Sequence, residues 1–402
     1  MDSILNAAAL ALATGDVLGA LNRVALRDDP AALALRGIAM AQLGDLARAR
    51  TLLRQAARGF GKREAVARAR CVLAEAEIAL VSRDLTWQAN QLDAARTVLL
   101  ERGDLANAAH AGIVEARRHL LLGRLEYAGA ELATLVPETL PPAMQAAYWL
   151  VQAGIDIRRL RVAQAQYGLE RADAAAGQSR IAALMAEVAA ARQALDGPAA
   201  LLRQGGAQST ITLDTVEMLL ASDTLVVDAT RNGLRQGDTV IGLATRPVLF
   251  ALLRTLAEAW PADASRAVLL ARAFHARHAD ESHRARLRVE MTRLRQLIAP
   301  LAGISATAEG FRLLPKSRDV AVLAFPLEEQ NAAVMALLAD GELWSSAALA
   351  LVLDSSASTV QRALAALQRD GKVQPIGRGR ARRWSLLTLP GFPTTLLLPG
   401  PG

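Results

Sequence analysis

The first 197 residues repeat one short signal inside an almost unbroken Leu/Ala helical pattern, and few folds satisfy that. Gly15-Asp16…Ala20, Gly44-Asp45…Ala49 and Gly123-Arg124…Ala128 each set a small or polar residue five positions before an alanine. Asp84…Ala89 and Leu160…Ala165 are weaker copies. The steps of roughly 29 to 40 residues fall in the range of stacked helix pairs. Glycine permits the tight turn between two helices, and alanine lets the paired helices approach closely. Strand-like runs are nearly absent until Gly197-Pro198 and Gly205-Gly206 break the pattern. Aromatic residues make up only 3% of the chain and Ala and Leu dominate, which also favours helix.

These residues resemble tetratricopeptide repeats. The best copy runs from Leu35-Arg36-Gly37 through Leu43-Gly44-Asp45-Leu46-Ala47-Arg48-Ala49 to Ala56. The large aromatic near the start of the family pattern is missing and the period is irregular, so the half-chain is tetratricopeptide-like. The resemblance implies a concave face that binds a protein or peptide, or packs against a partner domain of the same chain. The competing reading is an irregular helical domain with no ligand.

The texture changes after Ser209. Thr210–Asp214 and Thr224–Asp228 alternate like strands. Asn232-Gly233 and Gln236-Gly237-Asp238 are turn signals before a strand at Thr239–Leu243. Thr245 is placed to cap a helix with Pro247 in its first turn and Val248, Leu252, Leu253 and Leu256 inward. A second helix starts at Ser265 with Leu269, Leu270 and Phe274 inward. The third, from Ser282, carries Leu287, Met291, Leu294 and Ile298 on one side. Arg284, Arg288 and Arg295 flank its far side on one edge and Arg286 and Arg293 on the other, with Val289 and Thr292 between them. A helix laid in the major groove suits that pattern: guanidinium groups reach phosphates on both walls and short groups face the bases. The hairpin Ile304–Leu314, with Gly310-Phe311-Arg312-Leu313, follows.

In order and spacing these elements resemble the OmpR-type effector domain of bacterial response regulators, over about 105 residues. The matching residues are Leu225–Asp228, Leu234, Ile241-Gly242-Leu243, Ser265-Arg266, Leu269-Leu270, Val289, Met291, Arg293-Leu294-Arg295 and Gly310–Leu313. Ala308 stands where the family's wing has another glycine, and no receiver domain with its phospho-acceptor aspartate precedes the match, so phosphorelay control is not implied. The resemblance implies that Val289 and Thr292 face base edges. It also implies that Arg288 reads a guanine or holds a phosphate, and that Arg284, Arg286, Arg293 and Arg295 neutralise phosphates. Arg312 would reach the neighbouring minor groove. For any one arginine the alternative is a solvated helix face. His275, His278, Asp280 and His283 could hold zinc, but an exposed loop is preferred and no metal or other cofactor is assigned. In the resembling family this loop can touch RNA polymerase.

Val320–Phe325 reads as an extra strand or a linker pinned to a sheet. A three-helix pattern then restarts at Leu327–Ala339, Ser345–Leu353 and from a Ser356 cap to about Arg369. Val360, Leu364 and Leu367 point inward. Ser358, Thr359, Gln361 and Arg362 point outward near the helix N-terminus, where helix-turn-helix proteins touch bases. The loop that follows holds Arg378, Arg380, Arg382 and Arg383 among glycines, suited to phosphate or minor-groove contact. Trp384 reads as core. These roughly 60 residues resemble a second winged helix-turn-helix of a kind shared by many regulator families.

The expected fold class is therefore mainly α: an N-terminal α-solenoid (residues 1–200), an OmpR-type winged helix-turn-helix (207–316), a second winged helix-turn-helix (327–390) and a Pro/Gly-rich tail (391–402). The net charge of +7 suits a polyanionic partner but is mild over 402 residues. Cys71 is the only cysteine, which leaves no disulfide framework and favours a cytoplasmic protein. The N-terminal residues read as an amphipathic helix rather than a signal peptide, and no apolar run approaches membrane length. No phosphate-binding loop or nucleophile elbow supports an enzyme. The expectation is a sequence-specific regulator that binds double-stranded DNA, with repeats that sense a protein ligand or set a homodimer. The alternative is a protein-interaction scaffold whose winged domains bind protein.

Overall fold

A computed structural model describes residues 2–13, 15–82, 84, 89–243, 245–274, 281–324, 332–338, 343–353, 355–369, 372–377, 379 and 382–386. It is mainly helical, with small sheets towards the C-terminal side. The chain forms two compact units. One contains residues 1–193 and 334–402, the other residues 194–333.

Eleven helices build the first half: α1 (Ser3–Ala13), α2 (Val17–Val24), α3 (Pro30–Gln42), α4 (Leu46–Gly59), α5 (Ala65–Val81), α6 (Ala89–Glu101), α7 (Leu105–Leu121), α8 (Leu125–Ala133), α9 (Pro142–Arg158), α10 (Val162–Ser179) and α11 (Ala182–Asp196). The repeated signal is the turn. Gly15, Gly44, Gly103 and Gly123 adopt φ of +84°, +84°, +75° and +73°, and Leu160 takes the same left-handed role at +55°. After each, an N–H closes on the carbonyl five residues back: Asp16 on Ala11, Asp45 on Met40, Asp104 on Leu99, Arg124 on His119 and Arg161 on Asp156. Asp84 on Ala79 repeats that bond. Asp16, Asp45 and Asp104 then accept from the N–H three residues on, capping the next helix. Such short turns make successive helices antiparallel. Ala20, Ala49, Ala108, Ala128 and Ala165 are buried, as close helix approach requires.

The second unit begins inside the expected first domain. The hairpin β1 (Ala200–Gln204) and β2 (Ala207–Ile211) leads to helix α12 (Leu213–Ala221), then strands β3 (Leu225–Asp228), β4 (Gly233–Gln236) and β5 (Thr239–Gly242). The expected strand over Thr210–Asp214 therefore ends at Ile211. Helix α13 (Pro247–Ala259) is entered from Arg246 rather than from a capping Thr245 side chain. Next come β6 (Ala264–Ser265), α14 (Arg266–Phe274), α15 (Glu281–Ile298), the hairpin β7 (Ala302–Ala306) and β8 (Gly310–Pro315), and β9 (Val320–Ala324). Strand β9 is the central piece of a six-stranded sheet ordered β2-β1-β9-β3-β4-β5, antiparallel to β1 and parallel to β3. All five of its residues are buried. The expected boundaries at 200–207 and 316 thus cut through one sheet, in which β9 pairs with both β1 and β3.

The C-terminal segment contains α16 (Ala332–Leu338), α17 (Ser346–Val352), α18 (Ala357–Arg369) and the pair β10 (Val373–Ile376) and β11 (Arg383–Leu386). Among the described residues its buried side chains form no separate core. Val334, Leu338, Trp344, Leu349, Leu364, Leu367 and Trp384 belong to one buried cluster with Leu73, Leu80, Leu92, Leu99 and Val114 of α5, α6 and α7. A module of about 50 residues buries too little of its own surface for independent stability, so sharing a core is expected. Among the described residues, no helix is long and apolar enough to cross a membrane.

Candidate nucleic-acid interface

The site is built on α15. Leu287, Met291, Leu294 and Ile298 are buried against Leu252 and Leu253 of α13, Leu269 and Leu270 of α14, and Ile304 and Leu313 of the β7–β8 hairpin. One apolar stripe thus fixes the helix about its own axis, so the remaining faces are set in direction. Arg284, Arg286, Arg288, Val289, Thr292, Arg293 and Arg295 are all exposed.

Each arginine is aimed by a light contact. Glu281 pairs with Arg284 at 3.5 Å and with Arg288 at 3.0 Å, and Glu290 pairs with Arg293 at 2.9 Å. Glu281 is exposed, and its pairs contribute little, roughly 0–1 kcal/mol, so a phosphate can displace it; Glu290 is part-buried. The Arg286 guanidinium lies over the Phe274 ring, 4.7 Å from its centroid. Arg295 Nε donates to the Ile304 carbonyl at 2.9 Å, tying the helix to the hairpin. Thr292 Oγ1 donates to its own helix, to the Arg288 carbonyl at 3.0 Å, and Val289 stands 51% exposed between the arginine flanks.

The hairpin is held in place from three directions. Gly310 is obligatory, since a Cβ there would sit 1.9 Å from the Ala264 carbonyl oxygen, where β6 pairs with β8. Arg266 donates to the carbonyls of Ala308 and Thr307 at the hairpin tip and lies over Phe311. Arg312 pairs with Asp263, whose carboxyl is held below its usual range by hydrogen bonds from Thr307 and Arg312. In the sequence Arg266 stands only as a residue of the matching pattern, with no sign of its role as a brace. Nor does the sequence mark Arg246 and Gln296, which with Arg293 and Glu290 line a cleft of about 660 Å³ beside α15.

On α18, Ser356 Oγ accepts from the Thr359 N–H at 3.1 Å and shares a hydroxyl cluster with Ser358 and Thr359. Gln361 and Arg362 are exposed beside it, while Val360, Leu364 and Leu367 are buried as expected. Trp384 is core, with Arg382 lying 4.5 Å over its ring. Arg383 departs from the expectation. It is turned inward, and its Nε donates at 3.1 Å to the Ser82 carbonyl at the end of α5. Burial lowers its pKa, with Asp84 opposing and Arg50 adding to that effect. A helix C-terminus attracts a cation, and here the end of α5 holds Arg383, for which the sequence suggested a DNA contact. Arg378 and Arg380, and the histidines at 275 and 278 with Asp280, lie outside the described residues.

Arginines of the repeat helices are paired differently. Arg50 of α4 with Asp84, Arg70 of α5 with Asp104 and Arg96 of α6 with Glu131 of α8 tie each helix to a later part of the repeat at 2.7–3.0 Å. No family model matches the sequence, and no curated protein or solved structure matches it.

Proposed function

We propose that the chain is a sequence-specific regulator that binds double-stranded DNA. In this reading residues 264–315 act as a winged helix-turn-helix with α15 as the recognition helix, residues 343–386 act as a second such module, and the helical half is a tetratricopeptide-like solenoid. The observation that carries it is the outward face of α15: two arginine flanks with Val289 and Thr292 between them, on a helix whose opposite face is locked into the core. That spacing suits two phosphate walls with bases between. The hairpin braced by Arg266 and Gly310 presents Arg312 beside it.

Val289 and Thr292 are the readers in this account. Arg284, Arg286, Arg293 and Arg295 hold phosphates, and Arg288 does either. Ser358, Thr359, Gln361 and Arg362 offer a second reading surface. Selection of bound duplexes from a random library by the full chain tests the idea. A recovered consensus supports it, and recovery of unrelated sequences at the frequency of the starting library overturns it.

One observation favours a scaffold as the second reading. The C-terminal module already spends an apolar surface on protein, namely the repeat helices of its own chain. Retention of partner binding with indifference to duplex DNA at low salt would select that reading.

A further inference from the structure

Side chains of four alternate helices, α5, α7, α9 and α11, line a cavity of about 190 Å³. Ten of its fourteen lining residues are Ala, Val, Leu or Ile. Leu80, Val81, Ile113, Val114 and Val151 among them are buried. Protein interiors are otherwise packed as densely as organic crystals, with few voids larger than a water molecule. Small side chains leave the space here: Ala147 of α9 and Ala191 of α11 stand where longer aliphatic chains would fill it.

The other four lining residues are ionisable, yet they are partnered inside the protein. His110 Nε2 lies 3.1 Å from Glu77 Oε2, and Arg117 donates to Glu187. His110 and Glu77 are themselves buried. His110 Nδ1 and Glu187 Oε2, which have no partner, are sealed from the open space and meet nothing that enters it. Ion pairs closed on themselves leave no counter-charge for a charged ligand, and an unpaired charge in an apolar site is costly. A neutral apolar ligand meets no such cost and gains contact along the aliphatic walls.

We propose that this cavity binds a compact, neutral, apolar molecule the size of a single substituted ring. An apolar cavity of roughly 150 Å³ accepts benzene, and this one is somewhat larger. The walls supply shape and dispersion contact, and the paired charges around them exclude ionised analogues. The site stands on its own geometry and does not depend on the DNA-binding reading. In a regulator it would be the effector site of the helical half.

The test is calorimetric titration of the full chain with toluene, benzylamine and benzoate, which share a ring and one carbon and differ in charge. Saturable binding is expected for toluene, and at least about tenfold weaker binding for the ammonium and the carboxylate. Hydrogen exchange locates the ligand: with toluene bound, α7, α9 and α11 should exchange more slowly. Ala191→Leu fills the cavity from α11 and Ala147→Val from α9. Each variant, shown to be folded by circular dichroism, should bind toluene at least about tenfold more weakly. The proposal is overturned by no saturable toluene binding, by a charged analogue bound as tightly, by protection gained only outside these helices, or by unchanged binding in either folded variant. Should neither variant fold, the charge series and the exchange pattern still decide it. None of these results bears on whether the chain binds DNA.

Discussion

Val289 and Thr292 carry no charge, yet they stand exposed between the two arginine flanks of α15, and in the proposed reading they face base edges. Replacing Arg288 and Val289 together with alanine should cost about 1–3 kcal/mol of discrimination between preferred and mismatched duplexes. Competition gel shifts measure it, and unchanged discrimination would remove these residues from the reading role. Gly310 has the opposite character: it touches no ligand but admits the Ala264 carbonyl. Gly310→Ala should destabilise the second unit by about 2 kcal/mol, seen as a lower denaturation midpoint. A variant as stable as the wild type would mean that the β6–β8 contact is looser than described. Cys71 is buried, which pushes its thiol up to about 12, so it belongs to packing rather than chemistry.

At the scale of elements, the turns and the apolar stripes were legible in the sequence. Gly15, Gly44 and Gly123 mark left-handed turns because glycine meets no Cβ penalty in that backbone. Gly103-Asp104 carries the same signal but is offset from the 29–40-residue step, which hides it among the copies. Leu160 was found only as a weak copy because its conformation is supported by the surrounding helices rather than by its residue type. The α15 stripe was read correctly from Leu287, Met291, Leu294 and Ile298. What could not be read was pairing over long separations: β9 joining β1 and β3, and Arg383 meeting Ser82. Neither leaves a local signature. Glu258 of α13 is another such contact, accepting from Arg254, Arg203 and Arg272. Burial raises its carboxyl, but the Arg254 and Arg272 hydrogen bonds outweigh that and hold it below its ordinary 4.5. A carboxylate lowered in this way stabilises the fold above its unfolded-state value and stops doing so as pH falls through the folded one. Glu258→Gln should therefore be less stable than wild type near about pH 7, with the gap closing below about pH 4. A gap that persists in acid would contradict the ion network.

Across the whole molecule, the C-terminal module and helices α5–α7 share one buried cluster, although more than 200 residues separate them in the chain. Trp344→Ala removes a fully buried side chain and should cost about 3–5 kcal/mol. Hydrogen exchange should then show lost protection in α5–α7 as well as in the module; loss confined to the module would mean that the two fold separately. Arg50, Arg70 and Arg96 of the repeat helices pair with part-buried carboxylates, whereas Arg284 and Arg288 of α15 share the exposed Glu281. That difference makes α15 the main cationic surface of the account, and salt dependence is its signature. The most direct measurement is the slope of log affinity against log salt for the full chain on a selected duplex. The account predicts a steeply negative slope that becomes shallower by about two when Arg284 and Arg293 are both replaced with alanine. A flat slope, or one those two substitutions leave unchanged, would contradict it.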